Sequence, residues 1–349
     1  MRLPFLDFLR FFAAFSVMVM HIMVRGFPKD TYYAHSFGVW GDWLKYNYLA
    51  VNLFFIISGF VIFLTAQNRS VKQFCISRFL RLYPAYWLAC TISFVVSYFY
   101  LQHIFHPTII RYIANMTMLN GFFKIQFIDN VYWTLFVELK FYLLTLLVIY
   151  FKQLQNAEKI LWIWLLLSLA NYFIHNQIIQ NIFITDYSSF FSSGAMLFII
   201  SNDNFKLNLK RVAFLILSFF LGFLNESTTL SFKTIQYGFE FSSLKLLLVL
   251  FAIYVCFIIA INYKISKHDS SKIFKVCQIL GAVSYPLYLI HFNVSLAALN
   301  LFASDGSNRY FVAWCLIIFL PCVAYLIAKY FEEPLRNKLN KFFFIKHLS

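Results

Sequence analysis

Charge is scarce in this sequence. Asp, Glu, Lys and Arg make up 12% of 349 residues, where a soluble globular domain carries about a quarter. So few charges cannot clothe a water-facing surface of that size, which excludes a soluble domain. Glycine is scarce too, at 10 residues, and none falls in a GxGxxG or GxxxxGK arrangement. That excludes an enzyme built on the Gly-rich loops that cradle nucleotide phosphates. The 6 cysteines fall in apolar runs or in segments expected on the cytoplasmic side, so no disulfide is expected. No soluble domain, low-complexity linker or internal repeat is visible. What is abundant is apolar: 61% hydrophobic residues with 46 Phe and 22 Tyr, and a mean hydropathy of +0.72. The solvent for most of this chain is lipid.

Apolar runs of membrane-crossing length, about 17–25 residues, occur ten times, near 5–24, 48–66, 82–101, 131–151, 159–175, 187–201, 211–225, 241–262, 278–301 and 309–331. The sixth is short and interrupted by Ser188, Ser189, Ser192, Ser193 and Gly194. The stretch 108–124 is amphipathic and is expected at the interface. With the N-terminus in the cytoplasm, the cytoplasmic segments collect nineteen basic residues and the opposite side eight, the asymmetry of a positive-inside topology. The reading is an all-α integral membrane bundle of about ten transmembrane helices with both termini cytoplasmic. One transmembrane domain covers 1–335, a short basic cytoplasmic tail covers 336–349, and no appended extracytoplasmic domain is expected. The net charge of +15 then reflects topology, not a nucleic-acid partner. Met1 to Pro4 before an apolar run mimics a signal peptide, but no small-residue cleavage site follows, so the first helix is expected to be retained.

Ionisable groups inside a span are costly and mark candidate sites. The first helix carries Asp7, Arg10 and His21. Eleven residues separate Arg10 from His21, three helical turns to within about 20°, so both lie on one face, roughly 16 Å apart along the axis. Asp7 sits one turn from Arg10 and can pair with it. Glu138 enters its span from the outer side, and His291 is carried upward by the ninth. Counted from the helix starts, His21, Glu138 and His291 fall in the outer half of the bilayer, which reads either as a site or as a structural polar cluster. Lys140 lies about 200° around the helix from Glu138 and is given no partner. Arg78 and Arg81, one turn apart at the cytoplasmic mouth of the third span, form a fork suited to phosphate or simply anchor the helix.

The first helix, with Leu6, Asp7, Leu9, Arg10 and His21, resembles the opening signature of membrane acyltransferase family 3. The second, from Val51 and Asn52 through Phe54 and Phe55 to Ser58, Gly59 and Phe60, is similar to that family's next motif. Arg78 and Arg81 before Tyr83-Pro84, then Trp133, Thr134, Leu135 and Glu138, then Ser284, Tyr285, Tyr288 and His291, and finally Glu332 and Pro334, follow in the family's order along nearly the whole chain. Asn52 stands where many members have Asp, which removes a metal- or proton-binding role there. Leu139 and Lys140 stand where Glu and Gln are frequent, leaving Glu138 as the carboxylate of its motif.

The resemblance implies acyl transfer, usually acetyl, from cytoplasmic acyl-CoA to a hydroxyl of a cell-surface glycan such as O-antigen, capsule or another exopolysaccharide, in a bacterial inner membrane. Acetyl-CoA enters as a donor substrate, with no resident cofactor and no metal expected. A neutral histidine is an apt general base for an attacking alcohol. His21 is assigned that role, with Glu138 orienting it or stabilising its charged form and Arg10 stabilising an oxyanion or steering the donor. Arg78 and Arg81 receive CoA phosphates, and His291 shapes the acceptor side. A transient acyl-histidine is a rival route. Other readings are a transporter or flippase of a lipid-linked saccharide, a non-catalytic scaffold, and an acyltransferase acting on a lipid or small molecule. The sugar, the hydroxyl and the oligomeric state are not legible.

Overall fold

The computed structural model describes residues 3–24, 37–67, 69–262, 272–303 and 307–345. These are helical with no strand among them. The principal helices are α1 (Pro4–Met23), α2 (Ala50–Ala66), α3 (Val71–Tyr100), α4 (Trp133–Tyr150), α5 (Ala157–Ile174), α6 (Ser188–Asn202), α7 (Leu209–Thr228), α8 (Ser243–Asn262), α9 (Lys272–Phe302), α10 (Arg309–Ile327) and α11 (Glu333–Ile345). Among the described residues nine helical segments are long and apolar enough to cross a membrane. The number is ten if α7 and the short helix Leu230–Tyr237, bent by 42° from it, form one span. The ten apolar runs of the sequence all fall on these segments.

Residues 346–349 lie outside the described residues. Of the expected tail over 336–349, residues up to 345 belong to α11, which follows a π turn at Ala328–Glu332 and packs against α3.

Two elements start earlier than hydropathy places them. The run near 82–101 is the second half of α3, which begins at Val71, where Ser70 and Gln73 form a capping box that satisfies the first orphan backbone donors. Lys72, Arg78 and Arg81 depress a hydropathy window without interrupting a helix. α9 likewise begins at Lys272, ahead of 278.

Serine-broken α6 is the most enclosed of the spanning segments. Ser188, Ser189, Ser192 and Ser193 are fully buried, and Ser193 Oγ lies 2.7 Å from Ser218 Oγ and 2.8 Å from Tyr254 OH. Its neighbours are protein, so hydroxyls that would be costly in lipid find partners. Small residues also let it approach α2: a methyl added at Gly59 would overlap the carbonyl of Phe191, and one at Gly194 that of Ile56. The two backbones therefore touch at reciprocal glycines. α1 is held as closely along α9, where Gly281 leaves room for the Asp7 side chain.

The amphipathic stretch 108–124 forms the helix Ile109–Met116 and a 3-10 turn at Asn120–Phe123. Its polarity is inverted. Ile109, Ile110 and Ile113 face outward, while Arg111 and Asn115 are buried. Arg111 donates to the carbonyls of Phe105, Gln126 and Phe127, and Asn115 Nδ2 to those of Arg111 and Gln126. An apolar exterior over a polar interior suits a lipid boundary.

Candidate active site

α1 sets the axis of the site. Pro4 opens it at a position where no backbone donor is lost, and the face carrying Arg10 and His21 runs along two cavities. The larger, called outer after the expected topology, is about 830 Å³ and is lined by His21, Asn52, Trp133, Tyr187, Glu226 and Lys233 among others. The inner one is narrow, about 80 Å³, and is lined by Arg10, Ser58, Arg78, Arg81, Glu138 and Tyr142 among others. Val51 and Tyr288 line both and so form the partition between them. Tyr288 is held there by a 2.9 Å hydrogen bond between its hydroxyl and Thr134 Oγ1 and by the edge-on ring of Phe54.

His21 meets His291. Its Nδ1 lies 2.8 Å from His291 Nε2, with the two ring planes 13° apart and centroids 5.1 Å apart, and Phe292 packs edge-on against it. His291 is fully buried, and its Nδ1 lies 2.8 Å from the carbonyl oxygen of Tyr288. A carbonyl only accepts, so His291 carries its proton on Nδ1 and presents a bare Nε2. With His291 neutral, His21 donates from Nδ1, which leaves Nε2 as its basic nitrogen. The buried carbonyl thus dictates, through two rings, which atom of His21 can take a proton.

Glu138 stands elsewhere than expected. Its Oε1 accepts from Ser58 Oγ at 2.8 Å and from Tyr142 OH at 2.5 Å, and it belongs to the inner cavity. The assignment of Glu138 as the group that orients His21 is therefore corrected: Glu138 lies beyond Val51 and Tyr288 from His21, in the cavity that Arg10 lines, and the ring that meets His21 is that of His291. Three guanidiniums, from Arg10, Arg78 and Arg81, share the inner cavity with this one carboxylate, an electropositive enclosure in a medium of low dielectric. Arg10 lies 3.5 Å from Asp7 Oδ1.

Arg78 and Arg81 do not act as one fork. Arg78 donates to Thr65 and Ser77 hydroxyls and lies over Tyr142, and its buried Nε has no hydrogen-bond partner among the described residues. Arg81 turns to Glu332 at 3.4 Å and lies over the Tyr285 ring. Tyr285 itself donates to the carbonyl of Leu82, and Ser284 to that of Gly281 within its own helix. Trp133 packs against Tyr187, centroids 5.5 Å apart, on the wall of the outer cavity. Lys140, unassigned from the sequence, lies over the ring of Phe136 one turn back, 4.5 Å from its centroid.

Asn52 has a carboxylate for a partner. Its Nδ2 donates to Glu226 Oε1 at 2.8 Å, and Glu226 Oε2 receives Lys233 Nζ at 3.0 Å. Lys233 also lies over the Tyr48 ring. Sequence reasoning missed Glu226 and Lys233 because the seventh apolar run ends at 225. The helix continues past it and bends, which turns both side chains inward. A polar pair spaced seven residues apart beyond an apolar run was the available signal.

The comparisons with known proteins agree with the order of the motifs. The family model Acyl_transf_3, described as an acyltransferase domain, matches residues 3–329. Peptidoglycan O-acetyltransferase OatA of Listeria monocytogenes is 28% identical over 158 residues, which are 37% of this chain and 24% of that protein. The aligned part is thus about a quarter of the length of that curated relative. No solved structure matches. With a match over nearly its whole length, and with the motif residues gathered along two adjoining cavities, this chain belongs to the membrane acyltransferase family 3.

Proposed function

We propose that the protein is an integral membrane O-acyltransferase that moves an acyl group, in the first place acetyl, from acyl-CoA to a hydroxyl of a cell-surface glycan. The observation that carries the proposal is the run of contacts from the Tyr288 carbonyl through His291 to His21, which leaves Nε2 as the basic nitrogen of a neutral His21 whose side chain lines the larger cavity. The acceptor occupies that cavity, where aromatic rings of Trp133 and Tyr187 and amides of Asn130, Asn171 and Gln180 suit the apolar faces and hydroxyls of a sugar. The donor enters from the arginine side, whose charge suits an anion, and its thin pantetheine arm runs through the inner cavity toward Tyr288. Both termini and the arginine end face the cytoplasm in this reading, in a bacterial inner membrane. Acetyl-CoA is a substrate, and no resident cofactor is invoked.

The acceptor hydroxyl attacks the thioester carbonyl as its proton passes to His21 Nε2. The carbon–oxygen bond forms, the carbon–sulfur bond breaks, and the departing thiolate takes the proton back from the imidazolium, leaving ester and free CoA. His291 shares the transient charge through the hydrogen bond, and Arg10 steers the donor. The test is transfer of labelled acetyl from acetyl-CoA to glycan by membranes containing the protein. His21→Ala lowers that transfer by about 10²–10⁴-fold at equal protein content; undiminished transfer would reassign the base. Saccharide movement without any acyl donor would favour a flippase instead.

A further inference from the structure

We infer that the cavity between Arg69, Arg81 and Arg336 is a phosphate site that seats the nucleotide end of the acyl donor, an inference that rests on the acyl-CoA reading above. The cavity is about 320 Å³ in volume and is lined by Arg69, Ser77 and Arg81 from the start of α3 and the residue before its cap, and by Arg336, Asn337 and Asn340 from one face of α11. Arg81 lines this cavity and the narrow inner one, so the two adjoin.

Three guanidiniums here face one carboxylate. Glu332 Oε1 lies 3.4 Å from Arg81 and 3.6 Å from Arg336, and its buried Oε2 has no hydrogen-bond partner among the described residues. Arg69 is exposed and enters no ion pair among the described residues. The surplus of positive charge, with two amide side chains as further donors, matches a phosphomonoester. Arginines that merely anchor a helix at the interface fan outward to headgroups. These converge on one concavity from two helices.

Shape adds a second argument. CoA is a bulky polyanionic head on a long thin arm ending in sulfur. A wide basic cavity that adjoins, at Arg81, a narrow one ending at Tyr288 has the same succession. Arg336, Asn337 and Asn340 also lie beyond residue 329, where the family match stops.

The same phosphate chemistry is offered by the ribose phosphate of CoA and by an anionic lipid headgroup, and the experiment separates them. Purified protein in uncharged detergent is titrated calorimetrically with CoA and with dephospho-CoA, which lacks the ribose phosphate. Wild type binds CoA about tenfold more tightly, the scale of one charge-assisted hydrogen-bonded contact. Arg69→Gln and Arg336→Gln, on different segments, each bring the ratio close to one. Equal affinities in wild type, or a preference that survives both substitutions, would place the phosphate elsewhere. Loss of phosphatidylglycerol binding in the variants, with the CoA preference intact, would assign the cavity to lipid and overturn the inference. Because binding is read without turnover, a wild type with the expected preference that transfers no acyl group overturns the proposed function and leaves the site standing; one that binds neither nucleotide overturns both.

Discussion

His21 and His291, 270 positions apart in sequence, are joined by one 2.8 Å hydrogen bond between ring nitrogens. The bond is asymmetric. His291 donates to the carbonyl of Tyr288, so as a neutral ring it accepts from His21. The arrangement has the logic of a carboxylate that fixes the tautomer of a catalytic imidazole, with a neutral ring in place of the anion.

His291 is therefore a positioning residue, and its loss separates rate from binding. His291→Ala lowers kcat by about two orders of magnitude, on the scale of losing a tautomer-fixing partner. The KM for acyl-CoA, set in the inner cavities, stays within about twofold. Steady-state kinetics in membranes checks this. A parallel rise of KM would make the pair a structural tie between α1 and α9.

Much of this arrangement was legible from spacing. Ten apolar runs fall on the spanning segments, and the shared face of Arg10 and His21 is the face that borders both cavities. Depth was legible for His291, which meets His21. It was not legible for Glu138, which counting puts at the level of His21 but which lines the cavity of Arg10. How far a helix is shifted and tilted, and which way it faces, is set by packing, as where Gly281 of α9 seats the Asp7 side chain of α1, and no single-helix pattern encodes it. The inward turn of Glu226 escaped because hydropathy measures a segment against lipid, and this side chain faces protein.

Asn52 and Glu226 give a second prediction. Restoring the Asp frequent in the family would set two carboxylates where Asn52 Nδ2 now donates to Glu226 Oε1. Asn52→Asp is expected to destabilise the protein by about 1–3 kcal/mol, the cost of a lost buried hydrogen bond, read as a lower Tm in detergent. The double variant Asn52→Asp with Glu226→Gln reverses the direction of the bond and recovers most of the loss, as a double-mutant cycle measures. Independent, additive losses would mean that the two residues are not coupled.

Tyr288 gives the third. Its ring stands between the inner and outer cavities, and its hydroxyl is tied to Thr134. A thioester waiting in the inner cavity is thereby shielded from the larger one, and exclusion of water is what prevents hydrolysis of a reactive acyl group. Tyr288→Ala removes the partition, so acetyl-CoA hydrolysis in the absence of acceptor is expected to rise about tenfold. Tyr288→Phe keeps the ring and is expected to change hydrolysis by less than about twofold, although it loses the bond to Thr134. Release of free CoA followed with a thiol reagent distinguishes the two. If Tyr288→Phe leaks as much as Tyr288→Ala, the seal is the hydrogen bond and not the ring. If neither leaks, the donor is protected somewhere other than behind Tyr288.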